Sequence, residues 1–114
     1  MDYTVSPAPS FQRQMKGILK KYPLIRSDLK NYLKKLKNRL PGNRIPGHQN
    51  LVKDRLAMKP YKIGKRGGLR LISYNVADTL SVFPLLICSK SDMPNPPHKM
   101  IVDAVRELEN LLAE

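Results

Sequence analysis

Four basic side chains surround a pair of glycines in the segment 62–70, and they are Lys62, Lys65, Arg66 and Arg70. Cations grouped in this way can hold a phosphodiester and stabilise the charge that develops when it is cleaved. Tyr74 follows on the same segment, and its phenol can stack on a base or transfer a proton. The segment is therefore the first candidate for a site that acts on RNA. A solvated basic hairpin is the alternative, because the charge pattern by itself is not specific.

Three strands are predicted to position these side chains. The longest covers 69–76, a second covers 80–87, and a short alternating run covers 61–63. Side chains two residues apart share a strand face, so Arg70 and Tyr74 project together. If the run 61–63 pairs with the longest strand, Lys62 or its neighbour shares that face. Pro84 cannot donate to a ladder, which predicts an edge or a bulge at that position.

Three helices are predicted on either side of these strands. Apolar residues at helical spacing indicate one helix from Ser10 to about Tyr22, a second ending at Leu40 and a third after Asn95. The second helix presents a cationic outer face that includes Lys30, Lys34, Lys35 and Lys37. We expect this face to lie along RNA or to meet an acidic protein segment. Residues 41–50 are predicted as loop, and residues 51–60 as irregular or a brief strand.

The order of elements indicates the fold class. A short N-terminal strand, two helices, three strands and a final helix predict a single α+β domain over residues 1–114, with helices packed on one antiparallel sheet. A chain of 114 residues has room for one such domain.

Composition limits the classes of function. The chain carries 21 Lys and Arg against 9 Asp and Glu, a formal net charge of +12, which favours a polyanionic partner such as nucleic acid or an acidic protein. Apolar runs are too short to span a bilayer. The N-terminal residues lack the pattern of a secretory signal and Cys88 is a lone cysteine, so we expect a reducing, cytoplasmic environment and no membrane partner. Two His and one Cys form no metal-ligand spacing, so no metal or cofactor is expected.

Several short motifs occur in order from about residue 3 to residue 112. They are Phe11, Lys20–Pro23, Asp28–Leu29, Tyr61–Ile63, Gly64–Ile72 and Leu85–Asp92. The most specific is the run of a glycine, a basic pair, two glycines and an arginine between Gly64 and Arg70. Together with the positive charge, these motifs resemble the RelE/HigB-like toxins of bacterial type II toxin–antitoxin modules, in the RelE/ParE superfamily.

This resemblance implies an N-terminal strand and a helical hairpin packed on an antiparallel sheet, with a C-terminal helix. It implies a ribosome-dependent endoribonuclease that cuts messenger RNA at the A site and is neutralised by a cognate antitoxin. The implied chemistry is metal-independent. The ribose 2′-hydroxyl attacks the adjacent phosphate and gives a 2′,3′-cyclic phosphate and a 5′-hydroxyl.

The resemblance also implies roles for single residues. By position, Lys62 is similar to a strand lysine that contacts or activates the 2′-hydroxyl, and Arg70 to an arginine that clamps the scissile phosphate. Lys65 and Arg66 lie where further cations hold the RNA. Lys90 lies where some relatives supply a cation to the transition state.

Three positions depart from the best-studied branch of these toxins. Gly64 and Ser91 stand where that branch has a second lysine and an arginine, and nothing between residues 92 and 99 matches its catalytic tyrosine. Tyr74 and His98 are the remaining candidates for proton transfer, since imidazole titrates near neutral pH. For His98, the alternative is a surface residue at the start of the last helix. His48, in the predicted loop, is a weaker candidate.

Two rival functions stay open from the sequence. The ParE-like branch of the same fold inhibits DNA gyrase and cleaves nothing, while the cations of segment 62–70 favour RNA chemistry. The other rival is an unrelated small basic RNA-binding protein. A short adjacent reading frame with a DNA-binding half and an acidic half is expected only for a toxin.

Overall fold

The computed structural model describes residues 2–38, 43–45 and 47–114. The helices are α1 (Pro9–Lys21), α2 (Arg26–Leu36) and α3 (His98–Leu112). The strands are β1 (Thr4–Val5), β2 (Asn43–Ile45), β3 (His48–Leu56), β4 (Leu69–Val76) and β5 (Ser81–Ser89). Short 3₁₀ turns cover Pro23–Ile25, Lys59–Tyr61, Lys65–Gly67 and Ala77–Thr79.

The strands form one five-stranded sheet in the order β1-β5-β4-β3-β2. β1 pairs parallel with β5, and the other neighbours pair antiparallel. The predicted α+β class is confirmed, and so are the N-terminal strand and the C-terminal helix. The sheet is mixed rather than purely antiparallel because the two helices that follow β1 carry the chain back before the hairpins begin.

Both faces of the sheet are covered by helices. On one face, Leu69 and Leu71 pack with Phe11 of α1 and with Leu29 and Leu36 of α2. On the other face, Leu51, Ile72 and Leu86 pack with Ile101 and Leu108 of α3. β4 is buried from both sides because its side chains alternate between the two cores, as its two-sided apolar pattern predicts.

The loop prediction for residues 41–50 is wrong where strands are found, whereas the brief strand left open within residues 51–60 is present over residues 51–56. Residues 43–45 and 48–56 form the antiparallel strands β2 and β3, and His48 lies in a strand instead of a loop. β3 supplies the third long strand of the sheet, where it pairs with β4 from Leu51 to Leu56. Leu40, Pro41 and Gly42, the expected end of the second helix, lie outside the described residues; α2 itself ends at Leu36.

The predicted strand Tyr61–Ile63 is also wrong. Lys59–Tyr61 is a 3₁₀ turn, and only an isolated bridge joins Met58 to Ile63. The edge of β4 that this run was expected to occupy is taken by β3. Tyr61 packs edge-on against Tyr22, with 5.3 Å between ring centroids, and its hydroxyl accepts a hydrogen bond from the Leu24 N–H at 3.1 Å. Tyr61 therefore joins the turn to the α1–α2 connection instead of to the sheet.

The predicted irregularity at Pro84 is confirmed as a bulge. The β4–β5 register shifts between Ile72 and Ser73, opposite Leu85. Beyond β1, side chains of α1 satisfy the outer edge of β5. Ser10 Oγ donates to the Leu85 carbonyl at 2.6 Å, and Gln14 Oε1 accepts from the Ile87 N–H at 2.9 Å. The helix thus completes the edge where the short parallel strand stops.

In the described part of the chain, no helix has the length and apolar character needed to cross a membrane.

Gly68 allows the backbones of β3 and β4 to approach closely. A Cβ atom at this position would collide with the backbone carbonyl of Leu56. The Gly68 carbonyl also accepts the Lys90 N–H at 3.0 Å, so a shift here would disturb the end of β5. A Cβ atom at Gly64, four residues earlier, would meet nothing within 4 Å.

We therefore expect Gly68→Ala to lower the free energy of unfolding by about 1–3 kcal/mol, the usual cost of overpacking. Gly64→Ala is the matched control and should change it by less than about 0.5 kcal/mol. Chemical denaturation followed by circular dichroism measures both variants. Equal stabilities for Gly68→Ala and Gly64→Ala would contradict the close approach.

Candidate functional site

Two arginines face each other across neighbouring strands. Arg70 of β4 pairs with Arg55 of β3 on one side and with Cys88 of β5 on the other. Directly paired residues project from the same face of a sheet, so these three side chains form one row. Lys53 belongs to the next row, opposite Ile72. The row Arg55–Arg70–Cys88 and Lys53 are called here the basic end of the sheet.

Helix α3 covers only part of this face. Ile72 and Leu86 lie under Ile101, Ala104 and Leu108. Lys53 and Arg55 are exposed to solvent. A large ligand can therefore reach Lys53 and Arg55 at the basic end, whereas Arg70 is only 6% exposed and Cys88 only 8%.

The guanidinium of Arg70 holds the turn that precedes its own strand. Nη1 donates to the Lys65 carbonyl at 3.0 Å, and Nη2 donates to the Arg66 carbonyl at 2.7 Å. A longer bond of 3.4 Å reaches the Leu69 carbonyl. These bonds use three of the five N–H donors of a guanidinium, and the other two have no hydrogen bond among the described residues. Arg70 is therefore both a structural clamp and a candidate anion ligand.

The clamp brings Lys65, Arg66 and Lys90 to the same end of the sheet. Lys65 and Arg66 are exposed and lie on the turn whose carbonyls Arg70 binds. Lys90 directly follows β5, and its N–H donates to the Gly68 carbonyl. The hydrogen bonds of Arg70 thus hold Lys65 and Arg66 near it, and the bond to Gly68 holds Lys90 at the same end. All three residues were predicted from the sequence as site residues.

Lys62 pairs with no strand in the described part of the sheet. It is exposed and ends the 3₁₀ turn Lys59–Tyr61 in a left-handed conformation, with φ of 57°. Its predicted position on a strand that shares a face with Arg70 is therefore wrong. Arg55 occupies the position opposite Arg70. The predicted role of Lys62 at the site stays a prediction.

The candidates for proton transfer gather further along the sheet. Tyr74 projects from the same face as Arg70 but lies four residues away, about 13 Å along the strand. It is half-buried beside the α3 core and lines a cavity of about 250 Å³ with His48 and Glu109. His98, the first residue of α3, has its ring centroid 5.4 Å from that of His48. Within the described residues, no hydrogen bond joins Tyr74 or His98 to the basic end.

The lysines of α2 belong to the opposite side of the sheet. Leu29, Tyr32 and Leu36 of this helix pack into the core that contains Leu69 and Leu71. Lys30, Lys34 and Lys37 are exposed on its outer surface. The molecule therefore presents two basic surfaces, one at the basic end of the sheet and one on α2.

Burial and charge shift the pKa values in the Arg70 row. Burial, followed by the positive charge of Arg55, lowers the pKa of Arg70, which is only 6% exposed. Burial raises the pKa of the Cys88 thiol above its usual value; Arg70 opposes this rise and Asp92 adds to it. These shifts agree with a row in which Arg70 lies between a second cation and a thiol.

The sequence analysis missed Lys53 and Arg55. Their signal was the alternation of Leu51, Lys53 and Arg55 with Val52 and Leu56, which is typical of a strand with one basic face. Because the sequence leaves residues 51–60 as irregular or a brief strand, it does not place Lys53 and Arg55 beside Arg70. The exposed cations nearest to Arg70 in register were therefore assigned no role.

Metal ligation finds no support in the described ranges. There, no three His, Cys, Asp or Glu side chains gather as a cluster able to hold a metal ion.

Comparison with solved structures gives the fold. The chain is similar to the E. coli toxin RelE, in the free-state structure of a double arginine-to-alanine mutant, with a TM-score of 0.60 and 19% sequence identity. The match covers 93% of this chain and 97% of that of RelE. No known protein family has a sequence profile that matches this chain. A comparison with curated protein sequences finds no significant match. The protein thus has a RelE-like fold, as the sequence motifs predict.

The lone cysteine offers a test of the Arg70 row. In Arg70→Gln, the thiolate of Cys88 loses a stabilising positive charge, so its pKa should rise further. In Asp92→Asn, a negative charge is removed and the pKa should fall. The ultraviolet absorbance of the thiolate, titrated with pH, measures both shifts. Shifts of the same sign in the two variants would contradict the arrangement.

Proposed function

We propose that this chain is the toxin of a type II toxin–antitoxin module and cleaves ribosome-bound messenger RNA. The observation that carries the proposal is the row of Arg55 and Arg70 at the uncovered end of a RelE-like sheet. A guanidinium with two remaining donors matches two oxygens of a phosphodiester. The exposed cations beside it favour a polyanionic strand as the ligand.

The proposed reaction is a transesterification within the RNA. The 2′-oxygen forms a bond to phosphorus, the bond from phosphorus to the 5′-oxygen breaks, and the products are a 2′,3′-cyclic phosphate and a 5′-hydroxyl. A base takes the proton of the 2′-hydroxyl, and an acid protonates the leaving oxygen. No metal is required, because Arg70 and Arg55 neutralise the charge that develops on the phosphate oxygens.

Particular side chains are proposed for each task. Arg70 clamps the scissile phosphate, while Lys65 and Arg66 hold the adjoining backbone. Lys90 supplies positive charge to the transition state. Lys62 is proposed to contact the 2′-hydroxyl, and Lys53 is an alternative amine because it shares the face of Arg70. Tyr74 and His98 are the proposed acid–base groups if the RNA extends along the face towards α3.

The proposed partners are the ribosome and a cognate antitoxin, in the cytoplasm. The α2 lysines Lys30, Lys34 and Lys37 can lie along ribosomal RNA in the free toxin. In the inhibited complex, the same surface can meet an acidic segment of the antitoxin. The net charge of +12 supports both associations, which are expected to weaken with salt.

A second candidate is a ParE-like toxin that inhibits DNA gyrase without cleaving RNA. The observation that favours it is the separation of Tyr74 from Arg70 by about 13 Å of strand. A site without a nearby proton donor is better suited to binding than to catalysis. A basic RNA-binding protein without toxicity is the remaining alternative.

We expect Arg70→Ala to reduce messenger cleavage on ribosomes by roughly 10²–10³-fold, as for the loss of one preorganised transition-state donor. Arg55→Gln should reduce it by roughly 10–100-fold, because a hydrogen bond to a charged group contributes about 1.5–3 kcal/mol. Arg106→Gln removes an exposed arginine of α3 and is the matched control. Primer extension on messenger RNA, with purified protein and ribosomes, measures the rates.

Full activity in folded Arg70→Ala, Arg55→Gln and Lys62→Ala variants would show that the site is misplaced. Induction in cells separates the two toxin candidates. Cleaved transcripts and arrested translation support the ribonuclease. Intact transcripts together with DNA damage support the gyrase inhibitor.

A further inference from the structure

A cavity of about 580 Å³ opens between α2 and the segment 56–65. It lies on the α2 side of the sheet and is separate from the basic end. Its size is typical of sites that hold a cofactor or a nucleotide. Two of its lining lysines have proposed roles elsewhere, Lys65 in holding RNA and Lys34 in meeting ribosomal RNA or the antitoxin, but neither proposal uses the cavity itself or Asp28.

Four lysines converge on this cavity. Lys34 and Lys35 come from α2, whereas Lys59 and Lys65 come from the two 3₁₀ turns that follow β3. All four are exposed, and none of them takes part in the three ion pairs found among the described residues. Their charges are therefore available to an anion, and four cations around one opening match a chain of phosphates.

One acidic group lines the same cavity. Asp28 lies in the first turn of α2, and its Oδ2 is buried without a hydrogen-bond partner in the described part of the chain. Leaving a buried carboxylate oxygen unpaired is costly, which points to a donor that a ligand brings. Asn31 lines the cavity one turn later, and Leu56 and Ala57 provide an apolar wall.

We propose that this cavity binds a guanine base together with its phosphates. Asp28 as a whole is partly exposed, and a rotation of its carboxylate about the soft χ2 torsion presents two neighbouring acceptors to the cavity. On the Watson–Crick edge of guanine, the N1–H and the 2-amino group are two neighbouring donors that match them. Adenine and cytosine each place a ring-nitrogen acceptor beside a single donor, which would face a carboxylate oxygen. The lysines then hold the phosphates, and Leu56 and Ala57 contact the base.

The guanine and its phosphates can come from a free nucleotide or from an RNA strand. Lys65 lines the cavity, and its carbonyl is bound by Arg70, so one turn separates the cavity from the basic end. An RNA strand in the proposed nuclease site could therefore place a neighbouring guanosine here. A free guanosine diphosphate or triphosphate would occupy the cavity without any RNA.

Calorimetry with the purified chain, in the absence of ribosomes, tests the proposal. GDP should bind roughly tenfold or more tightly than ADP or inosine diphosphate, because inosine lacks the 2-amino donor. Asp28→Asn should weaken GDP binding by roughly 10–100-fold and remove the preference over ADP. The inosine comparison uses the unmodified protein, so it decides the question even if Asp28→Asn does not fold.

Charge variants separate base recognition from general attraction. Lys35→Gln and Lys59→Gln should weaken GDP and ADP binding alike, whereas Lys16→Gln, an equal charge change on α1, should weaken neither. A guanosine dinucleotide carrying a 5′-phosphate is the RNA probe. Tighter binding of GTP assigns the cavity to free nucleotides, and tighter binding of the dinucleotide assigns it to RNA.

Two results would overturn the proposal. One is no binding of GDP, GTP or the dinucleotide at millimolar concentration. The other is equal binding of GDP, inosine diphosphate and ADP by the unmodified protein. Because no ribosome is present, failure here leaves the cleavage proposal intact, and a negative cleavage assay leaves the nucleotide measurement intact.

Discussion

The hydrogen bonds from the Arg70 guanidinium to the carbonyls of Lys65 and Arg66 organise the functional part of this molecule. A turn with several cations would extend into solvent if charge repulsion alone acted on it. Carbonyl groups attract the guanidinium, so Arg70 holds the turn together although it is itself a cation. The same contacts fix the orientation of Arg70. A ligand that reached Arg70 would therefore meet a guanidinium that has already lost its conformational freedom.

Gly68 and the pairing of the strands also help to position the turn that Arg70 binds. Gly68 lets the end of β4 approach Leu56 closely, and its carbonyl binds the N–H of Lys90. The start of β4 and the end of β5 are thereby fixed at the same level as the turn. The basic residues at this end come from separated parts of the chain, and backbone contacts alone bring Lys90 to the turn.

Much of the fold could be predicted because its signals are local. The apolar spacing in α1, α2 and α3, the two-sided burial of β4 and the bulge at Pro84 all follow from side-chain pattern. The hairpin formed by β2 and β3 could not be predicted in the same way. Gly47 and the prolines before it are typical of a loop, and the alternating run that follows them is short. That error also affected the site. With residues 51–60 left as irregular or a brief strand, the run 61–63 was expected beside β4, with Lys62 or its neighbour on the face of Arg70, where Arg55 lies. The motif around Arg70 can be recognised in the sequence because its residues lie close together in the chain. The identity of its cross-strand neighbour cannot, because it depends on long-range register.

Ser10 and Gln14 have a consequence for how the sheet can grow. Their bonds to Leu85 and Ile87 occupy backbone groups that would otherwise be offered to a visiting strand. These backbone groups of β5 are thus not free to pair with an extended peptide. The arrangement disfavours edge-to-edge aggregation at β5 without a charged side chain at that edge. A partner that binds by β-augmentation is left with the two-residue edge of β1 and the β2 margin at the other end of the strand order.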